Sequence, residues 1–570
     1  MINVYCIRQK VAVNKMKNQV EVSLKLEKFI FVAGLLVFGG FYDWNVTFLG
    51  SLLCLYVLLL YHGEHDRYKK EHKWFLWIPE IIFIFQLLVS FWAVDQSANI
   101  AGIMRGIVIL LWMHICLQWD QNMREQLLYM IPDMGIVIVI LGGLLFFNEK
   151  TRLFFWRAER LGGLFQYANT CALFLLLGII ICIFMRKREK PDKGSNKLCI
   201  SIFKVFILLL GILLTGSRSI LIIGFLWGII YSVFDRKFGK IYTGVVIGVG
   251  TILGVYYLFT GEGTQNISRI FTIMHSNSTL YGRILYDVDG ISIMLRYPMG
   301  LGYLGYYYVQ HALQTGVYTV RFVHNDILQI GLDYGMIPML LFIIFIIWQL
   351  VKGKQPNWRK EILAVIVAAS LVDFHMQYIF IDFIIILCLD LGEKSIRQKR
   401  AERLENKIVF IALLAGFIFY FIPYFAIYNG KYQLALQFLP NNTDALHMAM
   451  MEAKDKAVAV AYTDQILKNN SYIADAYNVR SYAAAMDGDI KKVLKNQREV
   501  LKLEKYDINR YRSYDSLLEH LALKCDEIGQ KQMREQLEKE RADIRGQLEE
   551  VRGQTNPIAY KLRDVPQYTW

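Results

Sequence analysis

The chain has 570 residues, of which 55% are hydrophobic, 14% aromatic and only 20% charged, with a formal net charge of +14. A soluble domain carries about 25% charged residues, so this composition excludes an ordinary soluble enzyme, and the length calls for at least two structural units. The basic excess belongs to the apolar part: residues 431–570 hold 22 Lys and Arg against 21 Asp and Glu, and residues 1–430 hold 41 against 28.

In chain order, residues 1–28 form a polar, basic tail with no small-residue cleavage site, which is read as an uncleaved cytoplasmic N-terminus. Apolar segments of membrane-spanning character then recur at 26–44, 45–61, 74–93, 102–118, 127–147, 164–185, 199–215, 217–234, 241–260, 327–351, 361–376, 378–392 and 408–428. These thirteen segments predict an all-α, polytopic transmembrane helix bundle whose termini lie on opposite sides. With the N-terminus inside, the inner loops carry 30 Lys and Arg and the outer face nine, as the positive-inside rule requires. Nucleic-acid binding is therefore not implied by the charge. The eight cysteines form neither a CxxC motif nor a pairing pattern, so no disulfide framework or zinc site is expected.

Eight of the nine outer basic residues are Arg, whereas the inner runs are rich in Lys. A guanidinium grips phosphate through a planar fork, and an ammonium is only a point charge. Outer arginines therefore read either as an anion site or as partners of headgroups, Glu149 and Glu159. A long outer loop, 261–326, is too aromatic and aliphatic for disorder and predicts amphipathic helices at the membrane surface. Gly300, Gly302 and Gly305 spell GxGxxG without the strand and crossover that a dinucleotide site needs. Tyr303 and Tyr306 are candidates for stacking on sugar rings, with an interfacial aromatic belt as the alternative. Asp287 and Asp289 have D-x-D spacing but lie in a helical stretch, so neither a metal nor a cofactor is expected.

At this point the chain resembles a known family, the O-antigen ligase and O-antigen polymerase superfamily of polytopic membrane glycosyltransferases. The resemblance rests on Arg160-Leu-Gly-Gly-Leu-Phe-Gln-Tyr-Ala-Asn169, on Leu214-Thr-Gly-Ser-Arg218-Ser219, on Tyr281-Gly-Arg283 with Pro298-Met-Gly300-Leu-Gly302, and on His324-Asn325-Asp326 with Gly331 and Gly335. It covers about a third of the chain and implies transfer of a glycan from a polyprenyl-diphosphate carrier to an acceptor on the outer face of the cytoplasmic membrane. Departures are Asp326 after His-Asn and the thirteenth span with its outer domain. Leaving-group charge would be met by Arg160, Arg218 and Arg283 without a metal. His324, able to titrate near neutrality, would take the acceptor proton, with a helix-capping histidine as the bland alternative. Asn169, Asn325, Tyr303 and Tyr306 are the expected glycan or acceptor contacts.

The organisation expected is a 1–28 tail, a 29–430 transmembrane domain and a 431–570 extracytoplasmic helical domain. Within the last, the stretches from Asn442, Asn470 and Asp507 resemble tetratricopeptide units, for which a protein partner is expected. A lipid-linked glycan flippase or transporter is the competing class, but it would place charges near mid-membrane and repeat its spans. A non-enzymatic anchor would not need thirteen spans. Ligase and polymerase share the motifs, so the donor glycan and the acceptor, whether lipid, glycan or protein, stay open.

Overall fold

The structure, a computed structural model, describes residues 25–60, 67–68, 74–188, 195–236, 278–392, 397–398 and 404–569. These residues are helical apart from loops and two antiparallel pairs of two-residue strands, Arg67–Tyr68 with Arg397–Gln398 and Trp156–Arg157 with Arg160–Leu161. Among them, Gln96–Gln118, Gln121–Leu145, Ala168–Arg188 and Lys407–Tyr428 are long and apolar enough to cross a membrane, and six shorter helices are apolar. The expected ninth span, 241–260, the stretch 261–277 of the outer loop and most of the 1–28 tail lie outside the described residues.

The chain divides into two compact units. The first comprises Met1–Glu80, Met104–Met274 and Ile343–Phe421. Its centre is Ala168–Arg188, buried without a break from Ala168 to Cys182, as a helix that is apolar all round must be. Glycines let the neighbouring helices come close: a Cβ on Gly211 would lie 2.3 Å from Val139 and 2.8 Å from Leu175. Trp112 stacks on Phe383 at 4.3 Å between ring centroids. Ile202, Phe203, Phe206, Ile222, Leu226 and Ile230 instead point outward and are exposed, an apolar surface suited to lipid and not to water.

The second unit comprises Ile81–Ile103, His275–Phe342 and Ile422–Trp570. The described part of the 261–326 loop forms two helices, Ser278–Arg296 and Gly305–Leu313, which share a core with Val323, Leu328 and Leu332. The expected tenth span, 327–351, is divided into Asp326–Tyr334 and Met336–Val351. The break is at Gly335, whose φ of +104° is open to glycine and strained for any L side chain. A backbone clasp fixes the break: Leu301 N donates to Leu332 O (2.8 Å), Gly302 N to Asp333 O (3.0 Å) and Met336 N to Pro298 O (2.9 Å). Gly300 and Gly302 also have positive φ, and a Cβ on Gly300 would sit 2.7 Å from Asp333 O.

Further along, three helix hairpins follow in order, Thr443–Glu452 with Lys456–Asn469, Ala474–Met486 with Ile490–Leu503, and Ile508–Glu527 with Lys531–Gln554. Asn442, Asp455, Asp489 and Asp507 cap four of these helices through their side chains. Beyond them, Ala559 and Leu562 pack with Leu285 and Tyr318, Asn556 N donates to Thr315 O, and Lys561 lies over the Tyr281 ring. The helix carrying Arg283 is thereby backed by the end of the described chain.

Two outcomes follow from this packing. Gly335→Ala should destabilise the protein by about 1–3 kcal/mol, since its φ is strained and the new methyl meets Pro298 O at 2.9 Å. Gly416→Ala, with nothing within 4 Å, should not, and thermal unfolding in detergent compares them. The second concerns pH. His447 Nε2 lies 2.9 Å from Asp475 Oδ2; this bond, with Arg510 alongside, holds the Asp475 carboxyl down to about 2 and raises His447 above its ordinary value. The carboxylate's contribution is complete above the usual carboxylate value and is lost as pH falls through about 2. The imidazolium's contribution is complete below the ordinary histidine value and is lost as pH rises through the raised one. Amide protection in 443–486 should therefore peak at about pH 4–6, and His447→Ala should remove the decline on the alkaline side, as read by hydrogen exchange.

Candidate functional site

In the first unit, Arg160 follows a strand turn in which Ala158 and Glu159 both adopt positive φ, which returns the chain toward Ala168–Arg188. Its Nε donates to Thr215 O and its Nη2 to Asn169 Oδ1, both at 2.7 Å. The Asn169 amide in turn donates to Asp373 Oδ2 and, at 3.1 Å, to the Tyr167 hydroxyl. That hydroxyl donates to Asp373 at 2.9 Å, as does Phe374 N at 3.0 Å. Asp373 is fully buried, and beside it Thr170 Oγ1 meets His375 Nδ1 at 3.0 Å. Arg105, 5% exposed, secures the same turn by donating to Gln377 O (3.0 Å) and Phe41 O, with Asp43 as its ion-pair partner.

The Thr-Gly-Ser-Arg stretch separates two apolar helices. Gly216, at φ +59°, reverses the chain after Ser195–Thr215, Ser217 N donates to Thr215 Oγ1, and Arg218 is the first residue of Arg218–Phe234. The Ser217 hydroxyl is buried with no hydrogen-bond partner among the described residues. A helix N-terminus, an unsatisfied hydroxyl and a guanidinium are thus adjacent, an arrangement that favours an anion. Of the other arginines expected on the outer face, Arg152 pairs with Glu159 at 2.5 Å, one of the acidic partners the sequence offered.

In the second unit, Asn325 caps Asp326–Tyr334 by accepting from Leu328 N, and buried Gln329 accepts from Val323 N while donating to Asp333 Oδ1 (2.8 Å each). This capped turn displays His324, whose ring lies 5.8 Å from that of Tyr286 on Ser278–Arg296. One residue further on that helix is Asp287, hydrogen-bonded to the Asn325 side chain and close in charge to His324 and Arg283. Burial pushes its carboxyl up to about 6, against the pull of those neighbours. Asp289 is different, accepting from Thr315 N (2.8 Å), Thr315 Oγ1 (2.7 Å) and the Tyr318 hydroxyl (2.8 Å).

The first unit therefore joins Arg160, Asn169 and the turn before Arg218, and the second joins Arg283, His324 and Asn325. Tyr303 and Tyr306 require a correction: both rings are closed into the core, at 1% and 0% exposure, and offer no face to a sugar. Tyr303 packs where Gly102 leaves no room for a Cβ, and the Tyr306 hydroxyl approaches that of Tyr318 at 3.5 Å. Sequence reasoning missed Asp373, Tyr167 and His375, and it set Asp287 aside. The first and third lie near the end of the expected span 361–376, and a carboxylate and an imidazole inside an apolar segment were the signal available.

Apolar outward faces around a chain of helices, with arginines fixed at helix ends, mark a membrane protein. The family model described as O-antigen ligase matches residues 203–343. That segment, which includes Arg218, Arg283 and His324, supports a likeness to the O-antigen ligase superfamily of glycosyltransferase-like membrane enzymes. That family works with a lipid-linked glycan donor. No curated protein and no solved structure matches the chain.

Replacing Asp373 with Ala would remove, at a fully buried position, the acceptor of the Asn169 amide, the Tyr167 hydroxyl and Phe374 N, leaving the first two with their bond to each other. Each such group costs about 1–3 kcal/mol, so Asp373→Ala should lower Tm by several degrees, and Asp373→Asn by less. Thermal unfolding of the detergent-solubilised protein measures both.

Proposed function

We propose that this protein is an integral-membrane glycosyltransferase that moves a glycan from a polyprenyl-diphosphate carrier to an acceptor on the outer face of the cytoplasmic membrane, as a surface-polysaccharide ligase or polymerase. The observation that carries the reading is that one matched segment, 203–343, contains an arginine at a helix N-terminus beside an unsatisfied hydroxyl and a histidine displayed on a capped turn. As the acceptor oxygen bonds to the sugar C1, the C1–O bond to phosphate breaks and its electron pair leaves with the diphosphate. Arg160, Arg218 and Arg283 meet that growing charge as fixed cations, and His324 takes the acceptor's proton. Asn325 serves as a contact for the glycan or acceptor; Asn169, expected in the same role, is buried with its oxygen accepting from Arg160 and its amide donating to Asp373 and Tyr167, and so holds Arg160 in place instead. The arginines supply the positive charge, so the reading includes independence of divalent ions.

The same proposal divides the chain into a cytoplasmic tail (1–28), a transmembrane domain (29–430) with an outer loop (261–326), and an extracytoplasmic tetratricopeptide-like domain (431–570). The last would hold a protein partner in the concave surface of its stacked hairpins.

Transfer from a purified polyprenyl-diphosphate glycan tests the chemistry. His324→Ala and His324→Gln should each lower the rate by about 10²–10⁴-fold with donor binding retained. Arg218→Lys and Arg283→Lys keep the charge, lose the fork and should lose most activity. Activity abolished by EDTA and restored by Mg²⁺ would refute the arginine clamp, and an active His324→Ala enzyme would refute the base. Reporters placed in 186–198 and after Tyr560 should lie on opposite sides of the membrane.

A further inference from the structure

We infer that Asp287 is the partner carboxylate of His324: anchored by the Asn325 amide, it positions the imidazole and stabilises the positive charge that His324 acquires with the acceptor's proton. The inference rests on the glycosyltransferase reading and deepens it by one positioning residue.

The geometry starts from helix spacing. Arg283, Asp287, Gly290 and Met294 recur at three- and four-residue intervals on Ser278–Arg296 and so share one face. That face lies on the start of Asp326–Tyr334, because a Cβ on Gly290 would meet Leu328 at 2.9 Å and Val323 at 3.5 Å. Asp287, nearly one turn earlier, is thereby level with His324 and Asn325. The Asn325 carbonyl oxygen is occupied as the helix cap, accepting from Leu328 N at 3.2 Å, so its amide is the end that donates to Asp287. One residue before Asp287, the Tyr286 ring neighbours the imidazole, with 5.8 Å between centroids and 31° between ring planes.

Two carboxylates on this helix can be compared. Asp289 has both oxygens engaged by Thr315 and Tyr318, which is what a structural carboxylate looks like. Asp287 Oδ1 is buried with no hydrogen-bond partner among the described residues. A carboxylate left partly unsatisfied is costly unless another group engages it, and imidazolium formation provides such a partner. Burial also strengthens the electrostatic coupling between Asp287 and its charged neighbours, His324 and Arg283. In the proposed step the proton passes from the acceptor hydroxyl to the imidazole, and Asp287 stays ionised throughout.

The test uses the full chain in nanodiscs, with Asp287→Asn and Asp287→Glu beside His324→Ala. Asp287→Asn should lower kcat by about 10²–10⁴-fold with the donor KM unchanged, and should move the acid limb of the rate profile to lower pH. Asp287→Glu should recover part of the rate. An Asn variant with wild-type kcat and an unmoved acid limb would overturn the inference. A second readout does not depend on transfer: carbethoxylation of His324 by diethylpyrocarbonate, followed by peptide mass spectrometry at mildly acidic pH. Loss of the carboxylate disfavours the charged ring, so the folded Asn variant should react faster, and equal reactivity would likewise overturn the assignment. If the wild-type chain transfers no glycan, the glycosyltransferase reading fails, and the carbethoxylation comparison still decides whether Asp287 and His324 are partners.

Discussion

Inside an apolar helix bundle, a polar group has to find its hydrogen-bond partner within the protein, because lipid offers none. In the first unit this constraint turns scattered polar residues into one network. Asp373 cannot stand buried alone, so it draws in Asn169, Tyr167 and the Phe374 backbone, and Asn169 draws in Arg160. Arg160 then reaches the Thr215 carbonyl, one of the orphan acceptors at a helix C-terminus. The sequence separation between Asn169 and Asp373 is 204 residues, yet they share one hydrogen bond. Positions that look like isolated motif letters are therefore mechanically one object.

In the second unit the same constraint falls on the backbone. The glycines of the Pro-x-Gly-x-Gly stretch let main chain meet main chain around Gly335, where a side chain on Gly300 would collide with the Asp333 carbonyl. Gln329 and Asn325 satisfy the amides of the turn between them, leaving His324 on a rigid support. Support and reactive group are encoded in the same six residues, with Asn and Gln holding the turn and His carrying the chemistry.

Much of this was legible in the sequence. Helical character and the boundary between the segments 199–215 and 217–234 can be read from local composition. The burial of Tyr303 and Tyr306 could not be, because an aromatic run reads as interfacial belt or sugar platform and does not show which rings its neighbours close over. The expected 327–351 span concealed its interruption since Gly335 alone is weak evidence of a break, and the decisive backbone partners, Pro298 and Met299, lie more than thirty residues earlier. Asp287 was set aside for lying in a helix, which is where it does lie; the unforeseen part was the Asn325 turn packed beside it.

The packing of Ala559 and Leu562 under Leu285 and Tyr318 also bears on the order of assembly. These contacts join segments about 240–280 residues apart, so the loop they close is long and the contact is entropically late in folding. During synthesis the helix bearing Arg283 emerges well before the residues that back it, and through that interval the Leu285 side of the helix lacks its apolar cover. The helix bearing Arg283 gains this backing only when the chain has been made through Leu562, which ties its maturation to the synthesis of the helical hairpins that precede its cover.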